Sequence, residues 1–526
     1  VSGRRKAKAA APKPAREPKP AVVIPRRVRA KYDAAQTTAD NRKHWAMADA
    51  LSADAAASPG VRRILRNRSR YEVANNSYAR GIVSTLANDA VGTCVRVRML
   101  GLPRADASRV EGAFSAWAEA IDLAEKLRTL RAARAVDGEG FALLIANDGI
   151  PADVQVRLDL RLIEAEQVAS PGVLALEPNQ VDGIRFDQHG NPVQYEVLRE
   201  HPGSGLGAFG QSMLVPADQV LHYFLAERPG QRRGIPELTP ALALFAQLRR
   251  WTLATIAAAE TAADFAAILK TSTPPDGEAA AADPFDEVEI ARRMMMTLPA
   301  GWDMTQFKAE HPTSTYSDFK RELLGEIARC MSMPYNVAAG NSSSYNYASG
   351  RLDWQTYFRA LKVERQRMRA QVLDRIFRAW AREAVLIEGL LPQTLRRIGA
   401  DWSHEWMWDG TEHVDPQKEA NAQGTRLANL CSTHAEEWAK QGKDWEEQAE
   451  QIAREVAKFR ALGLRHPADA SMPAAAPAKP AEDEPEPEDE EEDADDEDAK
   501  AMARAKAEAL SGLARAAERF SKGSVE

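Results

Sequence analysis

The sequence predicts an α+β fold, mainly helical, on three observations. Most of the chain between residues 32 and 464 repeats apolar residues at three- and four-residue steps. Two short stretches, around 141–162 and 184–197, instead alternate apolar and polar residues about turn signals. The 526 residues suffice for two to four domains, and the formal charge of −7 is segregated to the ends. Residues 1–31 hold 11 Lys/Arg against Glu17, whereas 481–498 hold 14 Asp/Glu and no base, which leaves −3 for everything between. Bulk charge therefore decides nothing about nucleic acid; its placement does. Cys94, Cys330 and Cys431 are far apart and form no CxxC, so a disulfide framework is not expected. No apolar run reaches the ~20 residues of a membrane span.

Residues 1–30 are Ala, Pro, Lys and Arg with little to bury, which predicts a disordered basic arm. From Tyr32 to about Leu130 the pattern is helical, with Ile82, Leu86 and Ala90 on one face. Asp137-Gly138-Glu139-Gly140 reads as a turn into a strand at Phe141–Ile145. Asp148-Gly149 and the alternation Val154, Val156, Leu158, Leu160, Leu162 complete a hairpin. A second hairpin runs from Ile184–Phe186 through Asp187–Pro192 to Val193, Tyr195 and Val197.

Thr239-Pro240 reads as an N-cap with proline at the first helical position, opening a helix to about Lys270, ~45 Å long. Its second half is alanine-rich, with Glu260 and Asp264 one turn apart. After an irregular module over 276–312, a helix from Ser314 or Ser317 buries Phe319, Leu323, Ile327 and Met331 until Pro334 stops it. Residues 335–350 form a polar loop of Asn, Ser and Tyr. Arg351–Glu388, free of Gly and Pro, predicts a helix of up to ~57 Å. Trp354, Phe358, Leu361, Met368, Val372, Ile376 and Trp380 make its apolar stripe. Arg351, Arg359, Lys362 and Arg369 flank the stripe on one side, and Arg367, Arg375 and Arg378 on the other. Beyond Pro392 the chain reads as helical and tryptophan-rich up to Leu464. An acidic linker and one possible terminal helix follow, over 467–526.

The chemistry of common enzymes is absent from the motifs. No G-x-x-x-x-G-K-[ST] occurs, which argues against a P-loop motor, helicase or kinase; neither G-x-S-x-G nor H-E-x-x-H is present. Cys431-x-x-His434 with His404 and His413 can be drawn as a zinc site but matches no common finger spacing, so ordinary packing is favoured. No catalytic, metal or cofactor residues are assigned. Two features suit DNA: the loop Asn341, Ser342, Ser343, Ser344, Tyr345, Asn346 and Tyr347, whose hydroxyls and amides can meet phosphate without fixed charge, and the arginine-flanked helix. Against these stand a plain solvated loop and a border of arginine stems covering the core, both favoured on the residues alone.

Six stretches change that balance. They are YDAA from Tyr32, NNSYARGIVSTLANDAVGT from Asn75, DGEGFALL from Asp137, VPADQVLHYFLAERPGQRRGIPELTP from Val215, MPYNVAAGNSSSYNYASGRLDW from Met333 and WDGTEHVDPQKEA from Trp408. In this order the chain resembles the lambda-type portal proteins of tailed bacteriophages, from about Tyr32 to about Leu464. The resemblance implies a wing (31–239), stem helices (240–270 and 314–333) with a clip between them (271–313), and a tunnel loop (334–350). It further implies a long wing helix (351–395) and a helical crown (396–466). It implies a homo-oligomeric ring of about twelve at a capsid vertex of the virion, assembled in the host cytoplasm. Implied partners are double-stranded DNA bound without sequence preference, the terminase large subunit, a head–tail connector protein, and capsid and scaffold proteins, with no membrane and no enzymatic activity. Asn341–Tyr347 would face DNA, and Glu260 and Asp264 could line the channel. The alternative from another class is a metal-dependent nuclease of the packaging complex.

Overall fold

The computed structural model describes residues 32, 35–170, 179–204, 211–264, 268–271, 302–305, 313–343, 345–397, 399–410 and 415–466. The basic arm 1–30, most of the module 271–313 and the acidic tail 467–526 lie outside the described residues.

Helices Pro59–Asn75, Ser77–Val91, Arg104–Ala120 and Leu123–Asp137 build the first part of the body. Ile82, Leu86 and Ala90 share the buried face of the second, as their spacing predicts. A strand at Arg96–Met99 interrupts the helices and pairs antiparallel with His404–Met407, where the sequence reads as helical. That departure has a physical reason: pairing sends Val97 and Trp406, which face each other, into the core.

Gly138 ends the helix Leu123–Asp137 in a left-handed conformation (φ 89°), and the strand Glu139–Ala146 starts at once. This strand is central, flanked antiparallel by Leu158–Ile163 and Val220–Phe224. The first hairpin is looser than its alternation suggests: Val154 and Val156 precede the ladder, although Val156 is buried. The second hairpin forms as expected and extends to a four-stranded meander, Gln180–Val181, Ile184–Phe186, Pro192–Leu198 and Ser212–Pro216. Asp187 closes its turn by accepting from the His189 and Asn191 amides, with Gly190 at φ 85°.

Thr239 does not cap; it sits inside a short 3-10 turn, and the α-helix runs Leu242–Asp264, about 35 Å long. It stops short of Lys270 because Ile268–Thr271 is a strand paired with Trp302–Thr305. The next helix, Thr313–Cys330, ends before Pro334. Ser332 turns left-handed (φ 53°) and the Met333 amide reaches back to Ala328 O, 3.0 Å away. Leu323, Ile327 and Met331 are buried, but Phe319 is 44% exposed and leans on Trp251.

The long helix runs Tyr347–Met368 and Asp374–Ala384, joined by a π turn at Arg369–Leu373. Side chains spaced by four advance ~40° per step around an ideal helix. Met368, Val372, Ile376 and Trp380 are so spaced, and the wider π turn takes up that drift so that all four stay buried. Around them Phe114 meets Trp117, Phe377, Trp380 and Trp406 at ring distances of 5.2–5.8 Å, the centre of the largest core cluster. Helices Pro416–Ala428 and His434–Lys440 follow. Residues from 447 form a separate compact unit, whose described part is most of the helix Trp445–Ala461 with Phe459 edge-on to His466. Among the described residues no helix is long and apolar enough to cross a membrane.

Candidate functional site

Half of the polar loop is helical. Tyr335–Ala339 is one short helix, closed by left-handed Gly340, and Tyr347 already begins the long helix. What remains among the described residues is 340–343 and 345–346, pinned at both ends. At its start the Asn341 amide donates to Asn336 O (3.0 Å). At its end Asn346 caps the long helix, accepting from the Ser349 amide at 2.8 Å while Ser349 Oγ accepts from the Asn346 amide at 3.2 Å. Asn341, Ser342 and Ser343 form the exposed tip, where Asn341 Oδ1 accepts from the Ser343 amide (3.0 Å).

The sequence-assigned residues therefore divide. Tyr345 is half-buried; burial and the nearby Asp353 carboxylate push its phenol up, so it leans on the body. Asn346 serves as a cap. Ser344 and the side chain of Tyr347 lie outside the described residues, as does that of Asp264; Glu260 is exposed. Of the flanking bases, Arg359, Lys362 and Arg378 are exposed, whereas Arg375 donates to Ala217 O (2.5 Å) and Arg367 pairs with Glu364 (2.7 Å).

The body that carries the loop holds two buried ion networks. In the first, Glu364 of the long helix accepts from Arg134 Nη1 and Nη2 at 2.6 and 2.8 Å, while Arg134 Nε and Arg131 Nη2 hold Glu237 at 2.6 and 3.0 Å. Tyr223 adds its hydroxyl to Glu364. Burial alone would raise both carboxyls, but Arg131 and Arg134 outweigh it and hold them below their ordinary value. Thus the long helix, the three-stranded sheet and the segment entering helix Leu242–Asp264 are locked together. In the second, fully buried Glu139 accepts from Arg233 (2.7 and 2.9 Å), His222 (3.0 Å), the Gly234 amide (3.1 Å) and Arg66. Burial opposes ionisation there too, yet Arg233, His222 and Arg66 hold Glu139 well below the usual carboxylate range. Burial pushes His222 down despite Glu139, leaving a neutral ring. Sequence reading missed both networks. Glu139 was legible only as part of a turn, and Arg131 and Arg134 look like surface residues until their partners, some 100 and 230 residues away, are known.

Cys431 and His434 do not join His404 in a ligand group, and His413 lies outside the described residues. Among the described residues one group, Glu164, Glu166 and His201, has the spacing for a cation. Arg70 Nη2 already stands 3.2 and 2.9 Å from the two carboxylates. The Gly203 amide donates to His201 Nδ1 (3.0 Å), so the neutral ring carries its proton on Nε2, the atom a metal would need. Both carboxylates are thus ion-paired with Arg70.

The family model described as "Phage portal protein, lambda family" matches residues 39–365, which take in the three- and four-stranded sheets, the helices Leu242–Asp264 and Thr313–Cys330 and the pinned loop. The chain belongs to the lambda family of phage portal proteins. Portal protein B of Escherichia phage lambda is 23% identical over 471 residues, 79% of this chain and 87% of that protein. The probable portal protein of Halomonas phage phiHAP-1 is 23% identical over 298 residues, covering 54% of this chain and 56% of the relative's length. Among solved structures, the neck of an empty gene transfer agent particle, computed with C6 symmetry, matches at 15% identity over 72% of this chain and 92% of the other, with a TM-score of 0.42. As a portal protein of this family, the chain is a structural component of a phage-type particle.

Proposed function

We propose that the chain is the subunit of a ring of about twelve copies at one capsid vertex, through which double-stranded DNA is packed and later ejected. The family match across residues 39–365 carries this reading. The tip Asn341–Ser343 supports it. A conduit must not grip its cargo, because each neutralised phosphate adds salt-sensitive affinity. An exposed, uncharged tip on a pinned base offers weak contacts without sequence preference. Ring formation is supported by Leu253 (59% exposed), Ile256 (50%) and Phe319 (44%), apolar residues on the two stem helices that a single chain leaves in water. A contact repeated by rotation covers such residues in every copy.

In this reading Glu260 lines or borders the channel, Asp264 follows it, and the module 271–313 docks the terminase large subunit during packaging and a head–tail connector protein afterwards. Capsid and scaffold proteins meet the outer wing, and the subunit passes from the host cytoplasm into the virion. It acts without catalysis. The nuclease alternative gains no support from the described carboxylates, since Glu164 and Glu166 are committed to Arg70. Native mass spectrometry with electron microscopy of the purified chain tests the proposal: rings with a central hole are expected, and monomers and dimers alone under all conditions would overturn it.

A further inference from the structure

A cavity of about 530 Å3 opens beside the Arg134–Glu364 pair, between the long helix and the end of helix Thr313–Cys330. Its floor is the Arg131, Arg134, Glu237 and Glu364 network, two cations matched to two anions. Its rim adds Arg329, Arg359 and Arg367 against Glu227 alone, so the cavity carries an excess of two positive charges. Arg329 and Arg359 are exposed, and among the described residues neither guanidinium makes a hydrogen bond or an ion pair. Arg367 gives only Nη1, to Glu364. The helix Thr313–Cys330 presents its carbonyl end here, which by itself repels anions. Those carbonyls are partly satisfied, with Ala328 O taken by the Met331 and Met333 amides and Arg329 O by that of Ser332.

Three arginines lining one concave cavity above a buried ion network bias its potential positive. Their planar forks match oxyanions, each supplying paired N–H donors. A carboxylate offers two oxygens, whereas three forks are better met by a phosphate, and the volume exceeds that of a single one. We infer that this cavity is a binding site for a phosphate-class oxyanion of at least two linked phosphates, free or in a nucleic-acid backbone.

Calorimetric titration of the full-length protein with inorganic pyrophosphate, at fixed ionic strength, tests it. Saturable binding is expected, weakened at least about tenfold in Arg329→Ala/Arg359→Ala and partly restored in Arg329→Lys/Arg359→Lys. A short DNA duplex that displaces pyrophosphate assigns the site to backbone phosphate; a duplex that leaves it bound assigns the site to the free anion. Either result supports the site. Absence of saturable binding, or binding untouched by the alanine pair, overturns it. Ring mass measured on the same samples separates this claim from the portal reading: rings without pyrophosphate binding would refute the cavity's role and leave the ring standing.

Discussion

Arg134 grips Glu364 through two parallel hydrogen bonds, Nη1 to Oε1 at 2.6 Å and Nη2 to Oε2 at 2.8 Å, across 230 residues of sequence. The pair is buried and joins the helix Leu123–Asp137 to the long helix that carries the loop. The loop is therefore positioned by the body of the subunit, and the following consequences can be measured.

Removing one partner of a buried, hydrogen-bonded ion pair leaves the other charge uncompensated, at about 3–5 kcal/mol. Arg134→Ala takes one of the two buried cations from between Glu237 and Glu364, leaving Arg131 to face both carboxylates, and should lower unfolding stability by up to about that much in urea titration. Arg359→Ala, at an exposed position without a partner, should change it by less than about 0.5 kcal/mol. Equal effects would deny the network its role.

Acid should weaken the protein in two stages. His222 is depressed below its ordinary value, so the unfolded chain takes up a proton that the folded one refuses; stability falls as the pH drops below about 6.5. Glu139, Glu237 and Glu364 are also depressed. Their contribution is present above about pH 4.5 and is lost as the pH falls towards their folded values. Thermal melts from pH 7.5 to about 2 should show both stages, and His222→Gln should flatten the first while sparing the second.

Gly138 and Gly234 lie back to back. A Cβ on Gly138 would stand 2.3 Å from the Ile235 carbonyl carbon, and one on Gly234 would stand 2.0 Å from Gly138 O. Both contacts are backbone, which cannot rotate away, and Gly138 also has a left-handed φ. Gly138→Ala or Gly234→Ala should each cost more than about 2 kcal/mol, read as a fallen melting temperature or loss of recoverable protein.

At the loop, Asn346→Ala removes a cap worth about 1 kcal/mol. Hydrogen exchange should speed up in the first turn after Tyr347 with little change in global stability. Tyr345→Ala with Tyr347→Ala should leave ring assembly intact and impair DNA packaging or retention; normal packaging would remove these tyrosines from the mechanism.

The elements whose signals are local were legible in the sequence. The Asp187–Pro192 turn, the Ile82–Leu86–Ala90 face and the stripe from Leu361 to Trp380 each depend on neighbours within a few residues, and each appears as read. What escaped depends on distant partners. His404–Met407 is a strand because Arg96–Met99 lies beside it, about 300 residues away. Ser332 ends its helix in a conformation that glycine usually takes, a preference no spacing reveals. At the site the composition of the loop was visible, but Asn346 as a cap and Tyr345 turned towards Asp353 were not, because Asn, Ser and Tyr serve equally well to cap, to turn or to face a ligand.

Electron cryomicroscopy of the purified assembly tests the central claim most directly. The account predicts a closed ring with Asn341, Ser342 and Ser343 on the wall of a central opening wide enough for a duplex. Those three residues on the outer surface of the particle, or a population with no closed ring, would contradict it.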